Sequence, residues 1–434
     1  MKKLSIVLLV LIIIGCTNQQ SKDKEFIKVK GSKFYIDNNP YYFCGTNMYY
    51  AAYLGASEEG RKRLIKELDL LKEYGITNLR ILGASELSSF KYALPQCFQT
   101  NARAYNEQLL QGLDFVLYEM YKRNMHAVIY LNNYWNWSGG MAKYMEWATG
   151  EKSHDPEIDK NWKKYMINAA MFYTNDTAQS IYKDYIKMLV NRKNTYSNLL
   201  YKNDPTIMAW QLANEPRPGP DKYNDSINIE ILSKWVDQTA QYIHSLDTNH
   251  LVCTGSEGIV GAVQNPEGYL KIHSSKFIDY INFHLWPKNW SWYDAMKPEK
   301  TFPVAVENAI NYINKHILFA RQLNKPITLE EFGLERDSAK YQPGTSVKYR
   351  NDFYKSILTL ISDSISNGAP IAGINFWAWG GYGIPSPIEE VKIENPSSFL
   401  GDPLGEPQGL NSVFASDTST LFIFKEFNKK LHEK

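Results

Sequence analysis

The sequence predicts an α/β fold, a single (β/α)8 TIM barrel with loop insertions, from three observations. Eight short apolar runs recur along the chain, amphipathic helical stretches separate them, and no glycine-rich phosphate loop follows the first run. The runs lie at residues 41–46, 77–82, 127–131, 207–213, 251–255, 280–284, 327–331 and 372–377. Each is short, and most are rich in β-branched or aromatic residues, as strands buried on both faces should be. Strands alternating with helices of period 3.6 make right-handed β-α-β units, and eight such units close into a barrel. The competing architecture, an open doubly wound sheet, usually carries G-x-G-x-x-G after its first strand; here Gly45-Thr46-Asn47 stands instead.

In chain order, the first segment stands apart from the barrel. Lys2 and Lys3 precede an apolar run from Leu4 to Ile14 that stops at Gly15-Cys16. A basic start, a short apolar stretch and small residues at the cut make a secretory signal over residues 1–15, too short to span a bilayer. The end Ile13-Ile14-Gly15-Cys16 resembles a bacterial lipoprotein signal, in which Cys16 becomes the lipidated first residue; ordinary secretion is the alternative. The protein is therefore expected to be exported and held to the cell envelope by lipid alone. Residues 16–25 are polar and charged without apolar period and read as a tether. Residues 26–434 form the barrel domain, opening with two hairpin-like runs at 26–29 and 33–36 that would cover its bottom.

Helical periodicity follows. Residues 59–74 align Leu64, Leu68 and Leu71; residues 106–123 align Leu109, Leu113, Val116 and Leu117; residues 229–246 align Ile231, Trp235, Ala240 and Ile243; residues 347–367 repeat the pattern. The long stretches 133–205, 286–326 and 380–418 read as insertions at the end where barrel active sites sit.

Composition narrows the function. The 434 residues carry 48 Lys+Arg against 46 Asp+Glu, and loss of Lys2 and Lys3 takes the formal charge from +2 to zero. That excludes a polybasic nucleic-acid binder. After Cys16, three cysteines remain, Cys44, Cys97 and Cys253, without metal-like spacing, so no disulfide framework is expected, a single bridge among them outside the cytoplasm being the alternative. The 8 His show no paired metal spacing, and Gly255-Ser256-Glu257-Gly258 lacks the residue between Gly and Ser of a nucleophile elbow. No metal or organic cofactor is expected. With 11 Trp and 30 Tyr the chain has more amphipathic rings than a core needs, so some should face a ligand.

The strand ends carry the chemistry. Asn47, Arg80, Asn132 and Asn133, Asn214 and Glu215, Ser256 and Glu257, His284, Glu331 and Trp377 stand at or near the ends of successive apolar strands, where packing offers no reason for polar side chains. Glu215 ends the fourth strand in Trp210-Gln211-Leu212-Ala213-Asn214-Glu215-Pro216, and Glu331 ends the seventh in Leu329-Glu330-Glu331-Phe332-Gly333. Strand alternation predicts that Glu330 and Glu331 cannot both face the bore. Two carboxylates at one barrel mouth suit glycoside hydrolysis, which needs an acid for the leaving oxygen and a second carboxylate for the oxocarbenium-like centre. A cap at Glu215 and a simple ion pair between Glu331 and Arg80 would be the structural alternative.

On these residues the chain resembles glycoside hydrolase family 5, and most of all its endo-β-1,4-mannanase branch. The resemblance runs through Gly45-Thr46-Asn47, Leu79-Arg80, Asn132-Asn133 with Trp135 and Gly139-Gly140, Asn214-Glu215-Pro216, Phe283-His284, Glu331-Phe332-Gly333 and Phe376-Trp377. It implies that Glu215 is the acid/base and Glu331 the nucleophile of a retaining reaction, that Arg80 orients Glu331, that Asn214 binds the sugar 2-hydroxyl, that His284 sits near Glu215, and that Trp377 lies under the sugar. The family often has Tyr two residues after the sixth-strand His; this chain has Trp286, whose indole donates but cannot accept. Tyr50, Trp135, Trp137, Trp290, Trp292 and Trp379 are further ring candidates for the cleft. The implied function is a monomeric endo-β-1,4-mannanase acting on β-mannan or a related β-1,4-linked polysaccharide. A related family 5 glucanase, an exo-acting β-mannosidase and a non-catalytic glycan-binding lipoprotein are the alternatives.

Overall fold

The computed structural model describes residues 25–220 and 225–433; the signal, Cys16 and nearly all of the tether lie outside the described residues. All eight expected strands form: β1 (Phe43–Asn47), β2 (Asn78–Leu82), β3 (His126–Tyr130), β4 (Ile207–Gln211), β5 (Leu251–Cys253), β6 (Ile281–Leu285), β7 (Ile327–Phe332) and β8 (Ile371–Phe376). They join in one parallel sheet ordered β5-β4-β3-β2-β1-β8-β7-β6, so β1 meets β8 and the sheet curls into a barrel. The seam between β5 and β6 is bridged differently. Asp279 N–H donates to Val252 O at 2.9 Å and His284 N–H to Glu257 O at 3.3 Å. The side chains of Asp279 and Asn282 accept from Val252 N at 2.7 Å and Gly255 N at 3.1 Å, standing in for missing ladder carbonyls.

The N-terminal runs do cover the barrel bottom, as three antiparallel strands rather than two: Lys28–Lys30, Lys33–Ile36 and Asn39–Tyr41. Ile27 and Phe34 are buried in a cluster with Phe43, Met208, Leu251 and Tyr280, and the Phe34 and Tyr280 rings meet edge to face at 5.2 Å. This plug leaves the opposite end of the barrel for ligand.

Helices α1 (Glu58–Glu73), α2 (Glu107–Lys122), α3 (Asp176–Val190), α4 (Asp225–Leu246), α5 (Pro266–His273), α6 (Pro298–Leu323), α7 (Lys348–Ser366) and α8 (Thr418–His432) surround the strands. Their starts obey local chemistry. The Ser57 hydroxyl accepts from Gly60 N at 3.2 Å and the Asn106 side chain from Gln108 N at 3.1 Å, capping α1 and α2. Leu64, Leu68 and Leu71 are buried, so the predicted α1 stripe faces the sheet. The stretches 133–205 and 286–326 are only partly insertions. Each delivers a surrounding helix, α3 or α6, with most of the extra structure in the segments before them and a short turn at Tyr201–Asn203 after α3.

No helix among the described residues is long and apolar enough to cross a membrane. Cys44, Cys97 and Cys253 are buried free thiols.

Candidate active site

A cavity of about 500 Å³ opens at the C-terminal ends of the strands and reaches Glu215 and Glu331. Glu215 follows β4 and is held there by its own N–H, which donates to Gly255 O at 2.8 Å. Its φ of +49° is a left-handed conformation that costs a non-glycine residue energy, and such strain gathers at functional sites. Pro216 therefore sits after a residue outside the ordinary helical region, as the Asn-Glu-Pro order predicts.

Glu331 owes its direction to an irregularity in β7. Phe283 pairs with Leu329 but His284 pairs with Glu331, so Glu330 is the extra residue of a β-bulge. The pleat's alternation, expected to keep Glu330 and Glu331 on opposite faces, is broken here by the bulge. Both carboxyls face the barrel interior, Glu330 among Gln211, Tyr280 and Thr328, and Glu331 above it at the mouth.

A connected set of hydrogen bonds orients these two carboxyls. Arg80, wholly buried, donates to Glu331 Oε1 at 2.5 Å, Asn47 Oδ1 at 3.0 Å, Asn214 Oδ1 at 2.7 Å and Gln211 Oε1 at 2.8 Å. The Trp286 indole donates to Glu331 Oε2 at 3.2 Å. The Trp135 indole donates to Glu215 Oε2 at 2.6 Å, and His284 Nδ1 lies 2.6 Å from Glu215 Oε1. Asn214 also donates to Asn133 Oδ1 at 3.1 Å, which fixes its amide.

Burial pushes the Glu215 carboxyl up, opposed by the Arg217 charge and the Trp135 hydrogen bond. Burial raises Glu331 too, opposed by Arg80 and reinforced by the charge of Glu215. Two carboxyls in one dry pocket cannot both ionise freely, so the pair holds one proton above the usual carboxylate range. Burial, with the nearby Arg80 charge, holds His284 well below its ordinary value and therefore neutral.

Oxygens of Glu215 and Glu331 and a ring nitrogen of His284 lie within 4.8 Å of one another. Each of the four carboxylate oxygens already meets a side-chain N–H or the His284 Nδ1, and the Arg80 charge stands beside Glu331. Such donors suit an exchange of carboxyl protons better than a bound cation.

Trp377, Trp286, Trp290, Trp135 and Trp137 all line the cavity. Trp377 and Trp286 meet edge to face at 5.8 Å, and Trp377 Nε1 is a buried donor with no partner among the described residues. Tyr50 is a correction to the sequence reading. It is fully buried away from the cavity, its hydroxyl donating to Trp379 O at 3.0 Å and its ring stacked on Phe399. Trp379 is likewise committed to the core by a 3.0 Å hydrogen bond to Glu67, and Trp292 does not line the cavity.

Other wall residues carried no role in the sequence reading. Arg217 pairs with Glu257 and lies over the Trp135 ring at 5.3 Å, while Asn289 and Glu406 come from the loops after β6 and β8. Burial pushes the Glu406 carboxyl up to about 7. The order Asn-Glu-Pro-Arg and the strand-end Glu257 were the available signals for the first pair; nothing in the periodicity marks the loop residues.

The comparisons with known proteins agree with this geometry. Residues 24–434 match the model of the GH family 5 beta-mannosidase-like family. Mannan endo-1,4-beta-mannosidase 4 of Solanum lycopersicum is 28% identical, covering 91% of this chain and 95% of that protein. Mannan endo-1,4-beta-mannosidase 1 of Arabidopsis thaliana is 30% identical, covering 81% of each. The crystal structure of a glycoside hydrolase family 5 mannosidase from Rhizomucor miehei superposes with a TM-score of 0.84 at 34% identity, covering 94% of this chain and 98% of that one. With a family match over essentially the whole described chain and a barrel mouth built on two buried glutamates, this protein belongs to the β-mannosidase-like group of glycoside hydrolase family 5 and is a glycoside hydrolase.

Proposed function

We propose that the protein hydrolyses β-mannosidic bonds with retention of configuration, Glu331 acting as nucleophile and Glu215 as acid/base. The observation that supports this reading is the closeness of the two carboxylates: an oxygen of each lies within 4.8 Å of the other, and one His284 nitrogen stands 2.6 Å from Glu215 and 3.3 Å from Glu331, so the gap is narrow. Retaining glycosidases hold their carboxyls about 5–5.5 Å apart, whereas inverting ones leave about 6.5–9.5 Å for a water. Arg80 and the Trp286 indole both donate to Glu331 and favour its anion, so the shared proton resides on Glu215.

In the first step a Glu331 oxygen bonds to the anomeric carbon as the glycosidic C–O bond breaks, and the leaving oxygen takes the Glu215 proton. In the second, Glu215 removes a proton from water, the water oxygen bonds to the anomeric carbon, and the bond to Glu331 breaks. Trp135 donates to Glu215 throughout, stabilising the carboxylate that exists between the steps. Trp377 offers its ring as a platform and its free indole N–H to a sugar hydroxyl.

The substrate is read as a β-1,4-linked manno-oligosaccharide cut at a chain end. Tyr92, Trp135, Trp162, Arg217, Trp290 and Glu406 wall the cavity from the loops after β2, β3, β4, β6 and β8, which favours a short ligand over a polymer lying across the barrel. The Rhizomucor miehei relative is a mannosidase, in keeping with this. The curated plant relatives, named endo-mannosidases, favour internal cleavage as the second reading. A ladder from mannotriose to mannohexaose distinguishes them: mannose as first product from every rung supports chain-end cutting, and mannobiose with mannotriose from the longest rungs supports internal cutting. No cleavage of any rung, with cello-oligosaccharides cut instead, contradicts the mannoside assignment.

A further inference from the structure

We propose that Glu330, the buried carboxylate beneath the proposed nucleophile, is a positioning residue that fixes the geometry of Arg80 and shares its charge, and thereby tunes the ionisation of Glu331. The inference rests on the reading of Glu331 as nucleophile and extends it to a residue outside the cavity lining.

Glu330 is the bulged residue of β7, and its backbone and side chain both serve Arg80. Its carbonyl accepts from Asn47 Nδ2 at 2.7 Å, and Asn47 Oδ1 accepts from Arg80. Its Oε2 accepts from Gln211 Nε2 at 2.5 Å, and Gln211 Oε1 accepts from Arg80 Nε. Of the four side chains that receive Arg80, the two amides at Asn47 and Gln211 are thus each oriented by Glu330. An amide held at its NH₂ end presents its oxygen in one direction only, so the fork of the guanidinium is fixed from below.

The partners of the Glu330 carboxyl favour its charged form. Gln211 N–H, the Tyr280 hydroxyl at 3.2 Å and the Thr328 hydroxyl at 3.4 Å all reach it. It has these donors and the guanidinium of Arg80, whose Nε is 3.8 Å from Oε2. That set suits an acceptor-only carboxylate. Burial works against the charge, and Arg80 is the largest influence opposing it. The titratable or charged groups facing this region are Arg80 on β2, Tyr130 on β3, Glu215 after β4, Cys253 on β5, Tyr280 and His284 around β6, and Glu331 beside it. One guanidinium therefore serves two adjacent carboxylates. Glu330 takes part of the field that would otherwise hold Glu331 ionised at lower pH.

The test is the pH profile of kcat/KM for an aryl β-mannoside with the full-length protein, its Glu330→Gln variant and its Glu330→Asp variant, each with a thermal melt. Glu330→Gln keeps the shape and removes the charge. Its acid limb is expected about one unit lower, with kcat reduced about tenfold and KM within threefold. Glu330→Asp keeps the charge but withdraws it from Gln211; its acid limb should stay in place while kcat falls about tenfold. A folded Glu330→Gln protein with an unmoved acid limb overturns the assignment, as does wild-type kcat in Glu330→Asp, which stands alone if the amide variant does not fold. Absence of turnover of both the aryl β-mannoside and the manno-oligosaccharide ladder by the unaltered protein would overturn the proposed function itself, and is separable from both results.

Discussion

The indole of Trp286 donates to Glu331 Oε2 at 3.2 Å while Arg80 holds Oε1 at 2.5 Å, so the proposed nucleophile is gripped at both oxygens by groups that can only donate. The family often uses a tyrosine two residues after the sixth-strand histidine, and here the indole supplies the same donor. A hydrogen bond to a charged group contributes about 1.5–3 kcal/mol. Trp286→Phe keeps an aromatic ring against Trp377 and removes the N–H together with the second ring of the indole. Steady-state kinetics should show kcat lowered about 10- to 100-fold with little change in KM, and Trp286→Tyr should recover part of the loss.

Glu215→Gln tests the proton donor. The amide cannot protonate a leaving oxygen, so a manno-oligosaccharide should lose about 10²- to 10⁴-fold in turnover. An aryl β-mannoside with an acidic phenol needs no proton to leave, and its first step should suffer far less. Equal losses on both substrates would contradict the acid role.

Much of the barrel was legible because strands buried on both faces must be short and apolar and because ring helices carry a stripe of period 3.6. The eight strands and the faces of α1, α2 and α4 follow from those two constraints alone. What was not legible depends on departures from regular geometry. The pleat forbids Glu330 and Glu331 the same side, and only a bulge, which no sequence period encodes, places both inside. Tyr50 follows the Gly45-Thr46-Asn47 strand end but turns away because a short helix, Ala51–Gly55, begins at once and aims its ring at Phe399. The third N-terminal strand was hidden by Asn39-Pro40, which reads as a turn. Arg217, Asn289 and Glu406 reach the cavity from loops whose paths are set by tertiary packing.

Glu86 supplies a stability prediction with a definite sign. Burial raises its carboxyl from 4.5 to about 8, although Gly140 N and Gln99 Nε2 donate to it at 2.8 and 3.2 Å. The folded state therefore binds the proton more tightly than the unfolded state. Its contribution is full below the unfolded value of 4.5 and is lost as pH rises toward about 8. Glu86→Gln should flatten the decline of Tm between about pH 5 and pH 9. The amide can also donate to Gln99 Oε1, a buried acceptor without a partner among the described residues. An unchanged pH slope of Tm would contradict this.

The proposal of a lipid anchor rests on Lys2-Lys3, the apolar run and Gly15-Cys16. Expressed in a bacterium that processes lipoproteins, the full chain should partition into detergent, and Cys16→Ser should move it to the aqueous phase. Unchanged partitioning of the variant would remove the anchor from the account.

The central claim is a double displacement through Glu331, and the anomeric configuration of the first product tests it most directly. Proton NMR of an aryl β-mannoside digest, recorded from the first minutes before mutarotation, should show the β-anomer of mannose appearing first and the α-anomer growing in later. The α-anomer appearing first would mean a single inverting displacement and would contradict the account.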